Sequence, residues 1–301
     1  MQTRKNTITI GIPAFNEEAN ITQLLKALTL QKTTSRRKII EIILLSDGST
    51  DGTVSEARAV KDIRITIVEE KSRKGKNERL NEIFNRFNGD VLVTLDADII
   101  LDGAFVIDEL AKNFMKSKNV GLVAGNAQPV VGKTIFEDAS NNFIASLNFM
   151  KDRVKKGQNI YSVRGPILAI SKDFSKTLSL PLDVPEDRFL YFMCKRYGFE
   201  FVYAPDAKIY FRSPKTFSDQ IRQCKRFRAD RDALDKYITQ KELTEAYFLP
   251  LNLKVQAMIF QLIRNPIAYI VMKAIQIYDH LGKREVKKAV WDIAKSTKSF
   301  L

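Results

Sequence analysis

The chain has few of the residues that build disulfides and zinc sites. Its 301 residues include two cysteines, Cys194 and Cys224, and one histidine, His280. The cysteines lie in segments of helical pattern without metal-ligand spacing, so we expect buried free thiols, as in a reducing compartment. A lone histidine offers no zinc site or His-based triad, and we expect His280 to be a solvated helix residue. Disulfide scaffolds and zinc enzymes are therefore disfavoured.

Long apolar runs are also lacking. Residues 1–6 contain no apolar stretch of the kind found in a secretory signal, which predicts a cytoplasmic protein, free or peripheral at the inner face of the cell membrane. The segment 255–278 is rich in Ile, Met and Val, but Arg264, Pro266 and Lys273 interrupt it before it reaches the roughly 18 to 20 residues that cross a bilayer. An amphipathic helix in the headgroup region is favoured over helices packed on a catalytic domain, and both over a true span.

Negative charge is the scarcer sign. The chain carries 49 Lys and Arg against 35 Asp and Glu, a net charge of +14. From Lys208 to Leu301 there are 19 basic and 9 acidic residues. Such a basic half suits an anionic substrate, an anionic membrane surface or nucleic acid, and a plain solubilising surface would look the same.

The first third of the chain alternates between apolar runs and segments of helical spacing. The four runs read as strands that are buried on both faces, because they are almost continuously apolar. Helical segments separate them, which predicts an α/β fold with a mainly parallel sheet and helices on both faces. The predicted strands cover residues 7–13, 39–45, 63–68 and 91–95.

Two of these strands end in acidic residues. The second is followed by the turn Ser46–Thr53, which contains Asp47, and the fourth by Asp96-Ala97-Asp98. Open α/β sheets bind ligands at the carboxyl ends of their strands. Paired carboxylates there suit Mg²⁺ or Mn²⁺, which shares its coordination shell with substrate phosphates and water.

Four motifs in order resemble the signature of family 2 glycosyltransferases with the GT-A fold. Two later motifs extend the resemblance, an acidic pair and a variant of the family's Q-x-x-R-W sequence. The match covers about residues 5 to 230. The motifs are Pro13–Glu18, Ser46–Thr53, Gly75-Lys76 with Leu80-Asn81, Asp96–Asp98, Glu186-Asp187 and Gln223–Phe227.

The resemblance implies a Rossmann-like mixed, mainly parallel sheet in a catalytic domain of residues 1–230, followed by a basic, amphipathic helical extension of residues 231–301. It also implies a role for each matched residue. The nucleotide-sugar-binding residues would be Pro13, Phe15, Glu17, Asp47, Lys76, Asp96 and Arg226. Asp98 and Asp96 would ligate Mg²⁺ or Mn²⁺. The catalytic pair would be Asp187, as the general base, with Glu186, and the acceptor would contact Gly165, Gln223 and Phe227.

Three positions depart from the family pattern. Phe227 stands where the Q-x-x-R-W motif has Trp, so an aromatic face remains but the indole N–H is lost. Glu78 and Arg79 stand where small residues usually follow the lysine. Polymerising members of the family usually carry several membrane-spanning helices, and the sequence offers no convincing one. The Q-x-x-R-F motif therefore does not establish a polymerising enzyme, and transfer of one or a few sugars is expected.

The resemblance implies an inverting glycosyltransferase. It would move a sugar from a nucleotide-diphosphate donor, UDP-sugar favoured, to a hydroxyl of a lipid-linked or membrane-proximal glycan of the cell envelope. A sugar-nucleotide nucleotidyltransferase is the nearest alternative, but no glycine-rich phosphate loop follows the first strand. The missing G-x-G-x-x-G also disfavours a dinucleotide oxidoreductase. A basic nucleic-acid binder is the alternative from another class, and it leaves the acidic strand ends unexplained, so no nucleic-acid partner is expected.

Overall fold

An eight-stranded mixed sheet lies at the centre of the protein. The computed structural model describes residues 6–282 and residue 297. The strands are β1 (Asn6–Ala14), β2 (Arg37–Asp47), β3 (Ile65–Glu70), β4 (Val91–Leu95), β5 (Ile99–Leu101), β6 (Val120–Pro129), β7 (Ile167–Ser171) and β8 (Glu200–Phe211). Their order in the sheet is β3-β2-β1-β4-β7-β6-β8-β5. Among the described strands, four pairings are parallel and three are antiparallel, which confirms a mixed, mainly parallel sheet.

Helices cover both faces of this sheet, as predicted. They are α1 (Ile21–Thr29), α2 (Thr53–Ala59), α3 (Lys76–Arg86), α4 (Val106–Ala111), α5 (Ile135–Arg153), α6 (Lys172–Ser175), α7 (Glu186–Arg196), α8 (Phe217–Leu234), α9 (Gln240–Ala246), α10 (Leu251–Arg264) and α11 (Pro266–Leu281). Short 3₁₀ turns extend α4 and lie between α5 and β7.

The strand alternation divides the core into two clusters. In β4, Val91, Val93 and Leu95 belong to the cluster that includes α1 and α4, whereas Leu92 belongs to the one that includes α3 and α7. Successive side chains of a strand point to opposite faces, so one apolar strand supplies both cores. Each fully buried aliphatic side chain of this kind contributes about 1.5–3 kcal/mol to folding.

The junction of β4 and β7 sets the position of the acidic strand end. β4 pairs antiparallel with β7, Leu95 opposite Ile167. The backbone N–H of Asp96 then donates to the carbonyl of Pro166 at 3.2 Å. The turn that enters β7 is therefore held against the first residue beyond β4.

Several boundaries differ from those that the pattern predicts. We expect two short strands, 201–204 and 207–211, but β8 is continuous, because its register with β6 shifts between Ala124 and Asn126 instead of breaking. β7 begins at Ile167 rather than at Val163, since residues 164–166 form its entry turn. The three-residue strand β5 carries too little pattern to be predicted.

The C-terminal helices pack on α5. The rings of Phe149 in α5 and Phe260 in α10 stack with centroids 4.9 Å apart. α8 is continuous across residue 230, where the sequence places a domain boundary, and the division into two domains stays a prediction. Residues 283–296 and 298–301 of the predicted extension lie outside the described residues. In the described part of the chain no single helix is long and apolar enough to span a membrane; α9 and α10 meet the length and composition test only as a pair bent by 55°.

Candidate active site

Lys76 joins two acidic residues from distant parts of the chain. Its Nζ lies 2.5 Å from Oδ1 of Asp96, just beyond β4, and 2.5 Å from Oε1 of Glu186, the first residue of α7. Lys76 is itself the first residue of α3. The structure thus brings together three residues that the resemblance assigns to one site.

Gly165 lies directly against this group. A Cβ added at Gly165 would lie 2.5 Å from Oε1 of Glu186 and 3.3 Å from Nζ of Lys76. A side chain at this position would displace the carboxylate, so the close approach needs glycine. The predicted acceptor residue Gly165 therefore borders the carboxylates.

The two neighbouring carboxylates keep the Lys76 side chain protonated. Burial alone would lower the pKa of its ammonium, but attraction by Asp96 and Glu186 outweighs burial and raises the pKa. Lys76 remains protonated at physiological pH. Its side chain is 32% exposed, so the group stays open to solvent and ligands.

Asp187 follows Glu186 in the first turn of α7. Its Oδ1 accepts a 2.7 Å hydrogen bond from the backbone N–H of Arg188. Burial raises the pKa of Asp187; Arg188 opposes this shift, and the negative charges of Glu186 and Asp230 add to it. A carboxylate with a raised pKa beside a polar cleft suits a proton acceptor.

Helix α8 presents the predicted Gln223, Arg226 and Phe227 one to two turns before Asp230. These spacings put all four residues on one face of the helix, and Asp230 is close enough to Asp187 to raise its pKa. Arg226 and Phe227 are exposed, with the guanidinium carbon 5.6 Å from the ring centroid. In the described part of the chain Arg226 does not contact the carboxylates around Lys76.

The loops after β1 and β2 are bonded to each other. Asn16, in the left-handed region with φ 53°, accepts at Oδ1 from the backbone N–H of Thr50 at 2.8 Å. Glu18 accepts at Oε2 from the N–H of Gly52 at 2.7 Å. Glu17 is buried, and its backbone N–H donates to Oγ1 of Thr53 at 2.7 Å. Much of the polar content of these two motifs therefore fixes the backbone of the predicted nucleoside pocket.

Asp47 ties the end of β2 to the start of α3. Its two oxygens accept from the backbone N–H groups of Lys74 at 2.8 Å and Gly75 at 2.9 Å. The Nε of Arg79 donates to Oδ1 of Asp47 at 2.7 Å, and the Arg79 side chain is fully buried. Arg79 departs from the family pattern because here it fills the space beneath this loop. A contact between Asp47 and a nucleotide base stays a prediction.

Pro13 and Phe15 lie at the carboxyl end of β1, both partly buried. The guanidinium carbon of Arg73 lies 4.0 Å from the centroid of the Phe15 ring. Cation–π stacking of this kind holds Arg73 over the predicted nucleoside pocket. The sequence gives Arg73 no motif, so pattern analysis missed it.

Asp96 and Asp98 are the residues that could hold a divalent cation. Both are partly buried, and the described residues contain no group of three or more His, Cys, Asp or Glu side chains arranged around one point. Two carboxylates nevertheless fit Mg²⁺ or Mn²⁺, which takes further oxygen ligands from substrate phosphates and water. Lys76 already holds Asp96 by one oxygen, so its ammonium would border the cation.

The predicted thiols and histidine behave as expected. Cys194 is buried, Cys224 is partly buried, and both are free. His280 is exposed near the end of α11. None of the three residues contacts the carboxylates around Lys76 in the described part of the chain.

Known structures share the fold of this protein. A mannosyltransferase from Pyrobaculum calidifontis, solved with GDP-Man and Mn²⁺, superposes with a TM-score of 0.58 and 20% identity, covering 93% of this chain and 77% of that one. Glucosyl-3-phosphoglycerate synthase from Mycobacterium tuberculosis, solved with Mn²⁺, UDP and phosphoglyceric acid, gives a TM-score of 0.53 at 20% identity, covering 77% of this chain and 78% of that one. These likenesses show the GT-A fold.

Curated relatives share a higher sequence identity over a smaller part of the chain. An undecaprenyl-phosphate 4-deoxy-4-formamido-L-arabinose transferase of Proteus mirabilis is 31% identical over 97 residues, 31% of this chain and 29% of the relative. An N-acetylglucosaminyltransferase of Azorhizobium caulinodans is 25% identical over 238 residues, 72% of this chain and 57% of the relative. The chain thus spans between about a third and just over half of these relatives' length. The sequence profile described as glycosyl transferase family 2 matches residues 9–178, more than half of the chain. On this match and its GT-A fold, the chain belongs to glycosyl transferase family 2.

Proposed function

We propose that the protein transfers a sugar, with inversion, from a nucleotide-diphosphate donor to a hydroxyl of an acceptor. The observation that carries this proposal is the bridge from Asp96 through Lys76 to Glu186, with Asp187 next along α7. In this proposal the ammonium of Lys76 would face the leaving diphosphate, and the partly buried carboxylate of Asp187 would face the attacking hydroxyl.

The nucleoside would lie against Pro13 and Phe15, at the end of β1. The loop that Asp47 holds through Lys74 and Gly75 would form its other wall. Glu17 acts there by fixing the loop backbone. UDP-sugar is the favoured donor.

Asp187 would remove the proton of the acceptor hydroxyl as its oxygen attacks the anomeric carbon. The bond to the diphosphate breaks on the opposite face of the sugar, so the configuration inverts and no covalent sugar–enzyme intermediate forms. Lys76 would lie beside the departing diphosphate and stabilise its charge. When bound at Asp98 and Asp96, Mg²⁺ or Mn²⁺ would neutralise further negative charge on the leaving group. Gly165, Gln223 and Phe227 would border the acceptor, and Arg226 the diphosphate.

A lipid-linked or membrane-proximal glycan of the cell envelope is the proposed acceptor. The support is an exposed apolar surface on α10 and α11, called here the α10–α11 surface. Lys254, Arg264 and Lys273 are exposed on the same two helices. Apolar side chains among cations suit the headgroup region of an anionic bilayer, and this supports the proposal of a peripheral position at the inner face of the cell membrane. The exposed apolar residues are Leu251, Val255, Met258, Ile259, Leu262, Ile263, Ile267, Ile270, Ile277 and Leu281.

The test compares donor binding with transfer in the purified full chain. Asp187→Asn is expected to bind sugar nucleotides as the wild type does while transfer to a membrane-lipid extract falls by orders of magnitude. Asp173→Asn, at an exposed position in α6, is the matched control and should retain full transfer. Near-normal transfer by Asp187→Asn would remove the assigned base.

A further inference from the structure

Arg164 is a partly buried cation beside the proposed general base. It precedes Gly165 in the turn that enters β7. One guanidinium nitrogen, Nη1, donates to the carbonyl of Ala127 at 2.9 Å, and the other, Nη2, donates to Oδ1 of Asn148 at 2.9 Å. Both acceptors are neutral. No carboxylate of the described residues lies within the 4.0 Å ion-pair distance of Arg164.

Two further cations, Arg188 and Lys151, interact electrostatically with Arg164. Burial and then the positive charge of Arg188 lower the pKa of Arg164 to about 10, against weaker attraction by Asp187 and Asp152. Burial lowers the pKa of Lys151 in α5, and the charge of Arg164 adds to that shift. Lys151 has Asp152 as a counter-ion at 3.4 Å, and Arg188 has Asp187 at 3.9 Å. Of these three cations, Arg164 alone has no carboxylate of the described residues within ion-pair distance. A desolvated cation without a direct counter-ion is costly, and an anionic ligand would compensate it.

Arg164 lies next to the proposed catalytic residues. It adjoins α5 through Asn148 and interacts with Arg188 and Asp187 of α7. The following residue, Gly165, borders Glu186 and Lys76. A ligand on Arg164 would thus lie close to the proposed general base Asp187.

We propose that Arg164 binds a phosphate group of the acceptor and so positions the acceptor beside Asp187. Apart from the two hydrogen bonds of Nη1 and Nη2, the N–H groups of Arg164 have no acceptor among the described residues. The planar guanidinium group can present paired N–H groups that match two phosphate oxygens. Arg188 and Lys151 supply long-range attraction. This inference rests on the proposed function and adds the chemical class of the acceptor. The phosphate belongs either to a small phosphomonoester or to a lipid phosphate.

The experiment measures phosphate binding and sugar-nucleotide binding separately, by calorimetry on the purified full chain. The probes are inorganic phosphate, glycerol 1-phosphate, and a polyprenyl phosphate in detergent micelles. Arg164→Gln is expected to weaken binding of the preferred phosphate about 10-fold to 100-fold, the range for a lost charge-assisted hydrogen bond. Arg153→Gln removes the same charge from an exposed position of α5 and should change nothing. Sugar-nucleotide affinity should be equal in all variants.

A second variant keeps the inference testable where Arg164→Gln fails to fold. Asn148→Asp puts a carboxylate 2.9 Å from Nη2 of Arg164 and gives it an internal counter-ion. This variant should melt at or above the wild-type temperature and lose phosphate affinity by a similar factor. Arg164→Lys keeps the charge without the fork and should give an intermediate affinity.

If glycerol 1-phosphate binds as tightly as the lipid probe, the acceptor is a small phosphomonoester; if the polyprenyl phosphate is preferred, the acceptor carries a lipid phosphate. Either result supports the inference if Arg164→Gln weakens that binding by the expected factor. Unchanged phosphate affinity in Arg164→Gln and Asn148→Asp, no phosphate binding by the wild type, or an equal loss of sugar-nucleotide affinity would overturn it. A wild type that binds phosphate through Arg164 but no sugar nucleotide would instead refute the proposed function.

Discussion

Arg79 Nε donates a 2.7 Å hydrogen bond to Oδ1 of Asp47, joining α3 to the end of β2 inside the protein. Burial alone would lower the pKa of Arg79, but the hydrogen bonds and negative charges of Asp47 and Glu82 together outweigh burial and raise the pKa. Breaking a buried pair strands the remaining charge, so Arg79→Met should lower the free energy of unfolding by about 3–5 kcal/mol. Urea denaturation measures this. Arg86→Met, at the more exposed end of α3, should change it by less than about 0.5 kcal/mol, and equal losses would contradict the finding.

Lys76→Met removes the ammonium between Asp96 and Glu186. The two carboxylates then repel each other without a cation between them. We expect transfer to fall at least about tenfold, as for loss of one electrostatic stabiliser of a leaving group. Lys176→Met, whose Nζ is 3.8 Å from Asp173 at the surface, is the control. A normal rate in Lys76→Met would disprove the role of the bridge.

Asp230→Asn should change the pH dependence of transfer. Asp187 must be deprotonated to accept a proton, so activity is lost as pH falls through its pKa. Burial raises this pKa and Asp230 raises it further, and removing the charge of Asp230 therefore lowers it. The acidic limb of kcat/KM should shift to lower pH. Asp232→Asn, at an exposed position of α8, should leave the profile unchanged; identical profiles for all three proteins would contradict the coupling.

The sequence predicts the strands and acidic ends because both depend on local order. The apolar runs determine β1 to β4, and the acids after β2 and β4 follow from parallel strands sharing an edge. The antiparallel insertion of β7 between β4 and β6 depends on long-range pairing, so no local pattern reveals it. The burial of Arg79 is hidden for a similar reason, since arginine normally indicates surface. No motif marks Arg164 in the sequence, because its lack of a counter-ion depends on the neutral groups that the fold places beside it.

Membrane docking depends on the α10–α11 surface. Ile263 and Ile267 are 80% and 64% exposed. Replacing both by Asp introduces negative charge into the proposed contact with an anionic bilayer, and we expect the variant to lose flotation with anionic liposomes at low salt. Ile63→Asp changes a fully exposed isoleucine far along the chain from α10 and α11 and should float like the wild type. Equal flotation of all three would assign this surface another role.

The central claim is tested most directly by the melting temperature of the purified full chain with UDP-, GDP- and dTDP-sugars, each with and without Mn²⁺. A ligand that binds the folded state at about 100 times its Kd stabilises it by about 2.7 kcal/mol. We predict that at least one sugar nucleotide raises the melting temperature in the presence of Mn²⁺ and that Asp98→Ala abolishes this rise. A melting temperature that no sugar nucleotide changes, with or without the metal, would contradict the account.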